Sequence, residues 1–244
     1  MGFMKITPLS EGTFTVDKTK HFIPFNEEEQ ELHNRHAGSL LVEIQPFVVI
    51  TSKDILLLDT GLGFRKNDTL QLLQNLMNNG INPSEVTKVL ISHLHKDHSG
   101  AVQLSKDKLS FPNAVYYVQE KELLFAFEKG FPSFITEALE GLQDSKQVKL
   151  LDADGVIDGY IKYELTGAHS PYHQVFWITE DFQTLFFGGD EAPQLQQMKH
   201  RFVAKYDFNG KKAMELRREW WERGRKEKWT FLFYHDVKNP VYQF

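Results

Sequence analysis

The residues His93-Leu94-His95-Lys96-Asp97-His98 form the most informative stretch of this chain, because four of them can bind a metal ion. Imidazole and carboxylate groups are ligands that zinc, iron and manganese accept. In an extended segment, His93 and His95 project to the same side and can hold one ion. If the chain then turns into a helix, Asp97 and His98 face a second position a few ångströms away. Two-metal sites about 3.5–4 Å apart suit hydrolysis, so the stretch predicts a metal centre.

The composition narrows the class of protein. The chain has 244 residues, of which 41% are hydrophobic and 25% charged, as is typical of a folded globular protein. Its net charge of −5 argues against a nucleic-acid partner that binds through a general positive surface. It has no cysteine, which excludes disulfides, thiolate zinc ligands and cysteine nucleophiles. The sequence shows no signal peptide and no membrane-spanning run, so we expect a cytoplasmic location and no membrane contact.

Apolar runs and turn signals predict alternating strands and helices, which indicates an α/β protein with mixed sheets. The predicted helices are Asn67–Asn79, Glu120–Glu128 and Asn209–Lys226. The predicted strands are Ser39–Thr51, Ile55–Leu58, Val89–Ser92, Ala114–Val118, Ile161–Leu165, Val175–Thr179, Thr184–Phe187 and Thr230–Tyr234. The histidine stretch therefore follows directly on a predicted strand.

Four other segments continue the pattern in chain order. They are Leu58-Asp59-Thr60-Gly61 upstream, and Gly167-Ala168-His169-Ser170-Pro171-Tyr172-His173, Phe187-Gly188-Gly189-Asp190 and Phe233-Tyr234-His235-Asp236 downstream. Together with H-x-H-x-D-H they resemble the motifs of the metallo-β-lactamase superfamily, from about Ser39 to Asp236. The resemblance implies a four-layer αβ/βα sandwich, in which two mixed β-sheets are flanked by helices and the metals lie at one edge.

The resemblance also implies the ligands and the cofactors. One ion would be bound by His93, His95 and His169, and the other by Asp97, His98 and His235, with Asp190 bridging them together with a hydroxide. Two divalent metal ions are expected, with zinc favoured and iron, manganese or cobalt as alternatives. Asp59 would orient a ligand or serve only as a turn residue. His173 would form structural hydrogen bonds near the site or line the pocket.

The expected reaction is attack of the metal-bridging hydroxide on an ester, lactone or similar carbonyl compound. Asp97 or Asp190 would carry the proton to the leaving group. The segment after His169 resembles that of the acyl-homoserine-lactone lactonases, whereas Lys96 stands where those enzymes tend to have an aromatic residue, and no Tyr follows Asp190 closely. A phosphoester, phosphotriester or thioester hydrolase of the same fold, or a mono-iron sulfur-oxidising oxidoreductase, are the alternatives.

The remaining expectations concern organisation and partners. Residues 1–244 are predicted to form one domain, with a helical lid at 120–142 that would line an apolar substrate pocket. The basic and aromatic positions of the last helix, Arg217 among them, fit an amphipathic helix whose charged side faces solvent. A small-molecule substrate is the expected partner, and a homodimer is left open. The other histidines are interpreted as structural or surface residues, namely His21, His33, His36 and His200.

Overall fold

The computed structural model describes residues 4–26 and 28–244, and residues 1–3 and 27 of the predicted domain lie outside the described residues. Its strands, in chain order, are β1 (Lys5–Pro8), β2 (Gly12–Val16), β3 (Phe22–Pro24), β4 (Leu40–Ile44), β5 (Phe47–Ile50), β6 (Ile55–Leu58), β7 (Arg65–Lys66), β8 (Thr69–Leu70), β9 (Lys88–Leu90), β10 (Gln103–Ser105), β11 (Lys108–Leu109), β12 (Val115–Gln119), β13 (Val148–Leu151), β14 (Gly155–Ile157), β15 (Ile161–Leu165), β16 (Gln174–Glu180), β17 (Gln183–Phe187), β18 (Thr230–Leu232) and β19 (Val241–Gln243).

The α-helices are α1 (Gln71–Asn78), α2 (Lys96–Ser99), α3 (Glu120–Lys129), α4 (Gly141–Asp144), α5 (Leu195–Lys199) and α6 (Gly210–Glu227). Asn209 caps α6, because its side chain accepts a hydrogen bond from the backbone N–H of Lys212. Within the described residues, no helix combines the length and the apolarity that crossing a bilayer requires.

Two six-stranded sheets form the centre of the molecule. One has the strand order β1-β5-β6-β9-β12-β13, and the other β14-β15-β16-β17-β18-β19. Both sheets are mixed. The first contains parallel strands, β6, β9, β12 and β13, and antiparallel pairs, β1–β5 and β5–β6. The second contains one parallel pair, β17–β18. The alternation of strands and helices predicted from the sequence is therefore present.

Alternating side chains on the strands build three apolar layers. Val49 and Leu56 of the first sheet pack with Phe176 and Phe187 of the second, which places a core between the two sheets. The opposite face of the first sheet is covered by α1 and α3, through Leu72, Leu76, Leu123 and Ala126. The opposite face of the second sheet is covered by α5 and α6, through Leu195, Met198 and Trp220. The order helix, sheet, sheet, helix confirms the four-layer sandwich.

Two boundaries differ from the predictions for identifiable reasons. The predicted strand Ser39–Thr51 is two strands of different sheets, because Pro46 has no N–H to donate and the chain turns there. The predicted helix Asn67–Asn79 begins only at Gln71. Asn67 and Asp68 both have positive φ angles, 50° and 61°, and form the two-residue turn of a β7–β8 hairpin.

Candidate metal centre

Strand ends bring the predicted ligands together. His93 and His95 lie in the loop after β9, and Asp97 and His98 lie in α2, which follows that loop at once. From the second sheet, His169 follows β15, Asp190 follows β17 and His235 follows β18. Since β15, β17 and β18 run in the same direction, their carboxyl ends meet at one edge of the sheet. All seven predicted ligands thus meet at one end of the sandwich.

The first group of ligand atoms comprises His93, His95, His169 and Asp190, whose donor atoms all lie within 4.8 Å of one another. Nδ1 of His95 lies 2.9 Å from Nε2 of His93 and 3.1 Å from Nε2 of His169. Ligand nitrogens on a tetrahedral zinc ion lie about 3.4 Å apart, given Zn–N bonds of about 2.1 Å. Nitrogens this close around one centre therefore fit a metal ion.

The second group comprises Asp97, His98, His235 and again Asp190. Nε2 of His235 lies 2.9 Å from Oδ1 of Asp190 and 3.5 Å from Oδ2 of Asp97. Nε2 of His98 lies 3.1 Å from the same Asp190 oxygen. The donors are two imidazoles and two carboxylates, a set that suits zinc, iron, manganese or cobalt.

Asp190 stands between the two groups. Its Oδ1 faces His98 and His235, while its Oδ2 lies 3.2 Å from Nε2 of His169. Two buried atoms of this centre, Nε2 of His98 and Oδ1 of Asp190, lie close to other polar atoms, but neither makes a hydrogen bond of suitable geometry within the described residues. Buried polar atoms without a partner cost free energy, and a metal ion would supply the missing partner. The donor set and the unpartnered atoms both fit bound metal.

A second layer of hydrogen bonds fixes the imidazole rings. Nδ1 of His98 lies 2.7 Å from Oδ2 of Asp59, and Nδ1 of His235 lies 2.7 Å from the backbone oxygen of Glu43. Nδ1 of His169 lies 2.9 Å from Oδ1 of Asp207. Each partner accepts the Nδ1 proton and leaves Nε2 free to face the centre. The interpretation of Asp59 as a residue that orients a ligand histidine is therefore favoured over a plain turn residue.

Asp59 also holds the loop that carries His93. Its Oδ1 accepts a hydrogen bond from the backbone N–H of Ser92 at 2.7 Å, and the Ser92 hydroxyl donates to Oδ2 at 2.7 Å. The same hydroxyl lies 3.1 Å from Nδ1 of His93. Asp59 is fully buried and has a φ of 57°. One carboxylate thus connects a ligand of the first group with a ligand of the second.

Burial and neighbouring charge set the protonation states. Burial lowers the pKa of His93 and of His95 well below the usual value, so both imidazoles are neutral, the form that binds metals. Burial alone would raise the pKa of Asp190, but the adjacent histidines, His235 first, hold it well below its usual range. Asp190 is consequently an ionised carboxylate.

Two buried glutamates near the centre were missed by the sequence analysis. Glu122 of α3 accepts a hydrogen bond from the Leu94 backbone N–H at 3.1 Å and one from the Ser170 hydroxyl at 2.5 Å. Glu191 accepts from the backbone N–H groups of Ala168 and His169, at 2.5 and 3.1 Å. Both carboxylates support loops that carry ligands of the first group. Neither belongs to a spacing pattern that would have identified it.

Arg217 is buried, which corrects the prediction that it lies on a solvated face of the last helix. It is only 1% exposed. Its guanidinium donates to the backbone oxygens of Glu191 and Phe202, at 2.9 and 2.7 Å, and lies 3.8 Å from Asp207. The sequence pattern was misleading because an arginine beside tryptophans on an amphipathic helix usually keeps its charge in water.

The other histidines lie where the sequence analysis put them. His173 is buried, and its Nε2 accepts a hydrogen bond from the Asp190 backbone N–H at 3.2 Å, which is the structural role expected for it. The four remaining histidines are exposed, namely His21, His33, His36 and His200.

The ring of Tyr172 packs against Phe125, with 5.9 Å between centroids.

Comparison with known proteins identifies the family. A family model described as the metallo-beta-lactamase superfamily matches residues 43–227. The chain belongs to the metallo-beta-lactamase superfamily. Membership confirms the resemblance and the fold expected from it, while His235 lies beyond the matched range.

Curated relatives match a shorter part of the chain. An N-acyl homoserine lactonase AttM of Agrobacterium fabrum is 34% identical over an alignment of 112 residues, and the match covers 41% of this chain and 38% of the relative. The corresponding AttM of Azorhizobium caulinodans is 33% identical over 106 residues, again 41% and 38% of the two chains. The matched region thus spans well under half the length of these relatives.

Solved structures of the same fold cover nearly all of the chain. A probable metal-dependent hydrolase from Staphylococcus aureus has a TM-score of 0.81 at 20% identity. The match covers 100% of this chain and 93% of the Staphylococcus aureus chain. A hydrolase in the beta lactamase superfamily, AbOPH, has a TM-score of 0.77 at 23% identity, covering 100% and 90%. AidC, a dizinc quorum-quenching lactonase, has a TM-score of 0.73 at 21% identity, covering 99% and 90%. At these identities the likeness is one of fold.

Proposed function

We propose that this superfamily member is a dinuclear metal-dependent hydrolase of an ester, lactone or similar carbonyl compound. The observation that carries the proposal is the position of Asp190, whose two carboxylate oxygens face two different groups of histidines. A single ion would need only one of these oxygens, so a carboxylate that faces both groups suits two ions. Under this proposal the ligands are His93, His95 and His169 for one ion, Asp97, His98 and His235 for the other, and Asp190 for both.

Zinc is the proposed metal, with iron, manganese and cobalt as alternatives, because the donors are imidazole nitrogens and carboxylate oxygens. Divalent ions held here would polarise a substrate carbonyl and lower the pKa of a water molecule. The contribution of the chain is to keep two of the ligand histidines neutral and to orient the rings of others. His93 and His95 are neutral because they are buried, and Asp59 and Asp207 fix the rings of His98 and His169.

Asp97 and Asp190 are the proposed proton carriers, and their surroundings differ. Both oxygens of Asp190 face ligand histidines, whereas the histidine nitrogens nearest to Asp97 approach its Oδ2. Oδ1 of Asp97 is the oxygen farther from them. We therefore propose Asp97, in preference to Asp190, as the residue that transfers a proton to the leaving group.

The choice of a carbonyl substrate rests on the relatives. The curated proteins that match part of this chain are named N-acyl homoserine lactonases. Hydrolysis of an ester or lactone adds the oxygen of water to the carbonyl carbon, breaks the bond to the alkoxy oxygen, and leaves one carboxylic acid and one hydroxyl. Residues 1–244 are proposed to act as one domain on a small molecule, with residues from 120–142 bordering the substrate groove. A cytoplasmic location and a homodimer stay predictions.

The decisive experiment is metal analysis of protein purified without added metal, combined with assays on lactones, esters, thioesters and phosphotriesters. We expect about two equivalents of metal per chain and turnover of a lactone or ester. The His95→Ala variant is expected to lose metal and at least about a hundredfold in kcat/KM. His200→Ala is the matched control, because His200 is exposed and belongs to neither ligand group.

Each other outcome points to a different function. About one equivalent of iron, with oxygen-dependent turnover of a thiol or persulfide, would replace the proposal by a mono-iron oxidoreductase. Turnover of phosphotriesters alone would retain the dinuclear centre and change the substrate class. A His95→Ala variant that keeps both its metal and its activity would contradict the ligand assignment.

A further inference from the structure

A groove lies beside the candidate metal centre. It has a volume of about 290 Å³ and is lined by His21, Phe22, Leu62, Lys96, Gly100, Ile135 and Ala138. None of the seven predicted ligands lines it, but Lys96 stands between His95 and Asp97 in the chain. Ile135 follows Phe134, whose ring lies 4.9 Å from that of His95. The groove therefore lies against α2, the helix that carries Asp97 and His98, through Lys96 and the capping residue Gly100.

Most of the groove wall is apolar, and among the described residues that line it Lys96 is the one lysine, arginine or carboxylate residue. The Lys96 ammonium lies 5.8 Å from the ring centroid of Phe22 and 5.6 Å from that of Phe131. Phe131 is 69% exposed, so the ammonium stands between two aromatic rings at the rim of the groove. Such rings attract a cation while leaving its hydrogen-bond donors free for another group.

Within the part of the chain that the structure describes, the positive charge of Lys96 is not neutralised by an ion pair. Among residues 4–26 and 28–244, no carboxylate oxygen lies within 4.0 Å of its ammonium, and Asp97 turns its Oδ2 toward His235 at 3.5 Å. Two charges act on Lys96 from nearby, that of Asp97, which is opposite in sign, and that of Lys20. In contrast, Lys106 is paired with Glu140 at 3.3 Å. The groove thus combines a largely apolar wall with one ammonium that makes no ion pair among the described residues.

From this juxtaposition we infer that the groove selects substrates whose acyl chain is apolar and ends in a carboxylate, with Lys96 binding that carboxylate. The inference rests on the proposed hydrolase function and names its substrate class. The apolar stem would pack against Phe22, Leu62 and Ile135, and the carboxylate would accept hydrogen bonds from the Lys96 ammonium. The Lys96 ammonium is a compact point charge, which suits the binding of a single carboxylate group.

A matched pair of esters tests the inference. 4-Nitrophenyl hexanoate and the mono-4-nitrophenyl ester of adipic acid differ only in that a terminal methyl becomes a carboxylate. The native protein is expected to have the higher kcat/KM for the adipate ester, after subtraction of spontaneous hydrolysis. The ratio of the two kcat/KM values is expected to fall about tenfold in Lys96→Met, which corresponds to about 1.4 kcal/mol. In Lys96→Glu the preference is expected to reverse.

Two controls test whether the ratio depends on the charge of Lys96 itself or on the overall charge of the protein. Lys106→Met removes a lysine that does not line the groove, and the ratio is expected to stay as in the native protein. Raising the ionic strength should reduce the native ratio, because salt screens a partly exposed charge pair. Metal content is measured in every variant, since Lys96 stands between two predicted ligands. A ratio that is the same in the native protein and in Lys96→Met overturns the inference.

A binding measurement keeps this inference separate from the proposed activity. Fluorescence titration compares N-dansyl-6-aminohexanoate with its carboxamide, in the native protein and in Lys96→Met. We expect the carboxylate to bind more tightly than the amide to the native protein, and this advantage to disappear in Lys96→Met. That result supports carboxylate binding in the groove even if neither nitrophenyl ester is hydrolysed. Failure to hydrolyse the esters would count against the proposed function and not against this inference. A carboxylate advantage that survives in Lys96→Met would place the anion on the metal centre and overturn the inference.

Discussion

The imidazole Nδ1 of His169 lies 2.9 Å from the carboxylate Oδ1 of Asp207, although the two residues are 38 positions apart in the chain. Arg217 of α6 approaches the other oxygen of Asp207 at 3.8 Å, and all three side chains are buried. A helix on the outer face of the second sheet is thereby connected, through one carboxylate, to a predicted metal ligand. This connection explains why a charged arginine is buried in the sandwich.

Replacing Asp207 by alanine is expected to weaken metal binding at the first group of ligands. The change removes the acceptor that holds the His169 ring and leaves the Arg217 charge without its nearest carboxylate. Such partners of ligand histidines typically contribute about 10–100-fold to metal affinity or activity. The measurement is metal per chain after dialysis against a weak chelator. Asp181→Ala, an exposed aspartate in a turn, is the control, and equal metal retention in both variants would contradict the prediction.

Glu122 connects the two loops of the first group, because it accepts hydrogen bonds from Leu94 N and from Ser170 Oγ. Glu122→Ala leaves two buried donors without an acceptor, at about 1–3 kcal/mol for each. We therefore expect a loss of several kcal/mol in the free energy of unfolding, measured by urea denaturation. Glu122→Gln should recover part of that loss, since the amide oxygen can still accept one of the two bonds.

Glu128→Ala provides the comparison for Glu122, because Glu128 lies on the same helix and is exposed. It is expected to change the free energy of unfolding by less than about 0.5 kcal/mol. If Glu122→Ala were as stable as Glu128→Ala, the two loops would be held together by other contacts.

Two phenols near the centre can be distinguished by mutation. The ring of Tyr206 lies 6.0 Å from that of His169, and its hydroxyl accepts a hydrogen bond from Gln197 at 3.1 Å, so its own proton is available to a substrate. Burial raises the pKa of Tyr206 to about 12, which keeps that proton in place at neutral pH. Tyr206→Phe is expected to lower kcat about tenfold or more with the metal content retained. Tyr172→Phe should change kcat less, and the reverse order in a steady-state assay would assign the role to Tyr172.

Much of the candidate metal centre could be predicted from the sequence because the proposed ligands occupy short motifs at strand ends. His93, His95, Asp97 and His98 lie within six consecutive residues, and the other ligands each follow an apolar strand. The physical reason is that carboxyl ends of parallel strands meet at one edge, so that ligands distant in sequence converge. The fold itself followed from the family resemblance, since alternating strands and helices are common to many α/β folds.

The supporting residues could not be predicted, because nothing local marks them. Asp207, Glu122 and Glu191 are single carboxylates in segments of ordinary composition, and their roles depend on contacts across the sandwich. The burial of Arg217 could not be predicted for the same reason, because several nearby residues in the sequence are charged, whereas its neighbours in space are backbone oxygens and Asp207.

Glu11 gives the fold a stability that depends on pH. Its carboxylate is buried beneath the turn at Gly61 and accepts hydrogen bonds from the backbone N–H groups of Leu62 and Phe64, at 2.6 and 3.2 Å. Gly61 has a φ of +73°, and a Cβ at that position would overlap the Glu11 carboxyl. Burial raises the pKa of Glu11 to about 8, although both amides act in the opposite direction.

The sign of the effect follows from proton binding. Between an unfolded pKa of 4.5 and a folded pKa of about 8, the folded chain binds more protons at Glu11 than the unfolded chain does. The contribution of Glu11 to stability is therefore fully present below pH 4.5 and decreases as the pH rises to about 8, by at most about 1.4 kcal/mol for each pH unit. Glu11→Gln does not titrate, so the difference in free energy of unfolding, Glu11→Gln minus native, is expected to rise from pH 5 to pH 8 and to level off above that. Urea denaturation at a series of pH values measures this difference, with the exposed Glu128→Gln as control. A difference that stays constant across the range would mean that the two backbone amides keep Glu11 ionised in the folded chain.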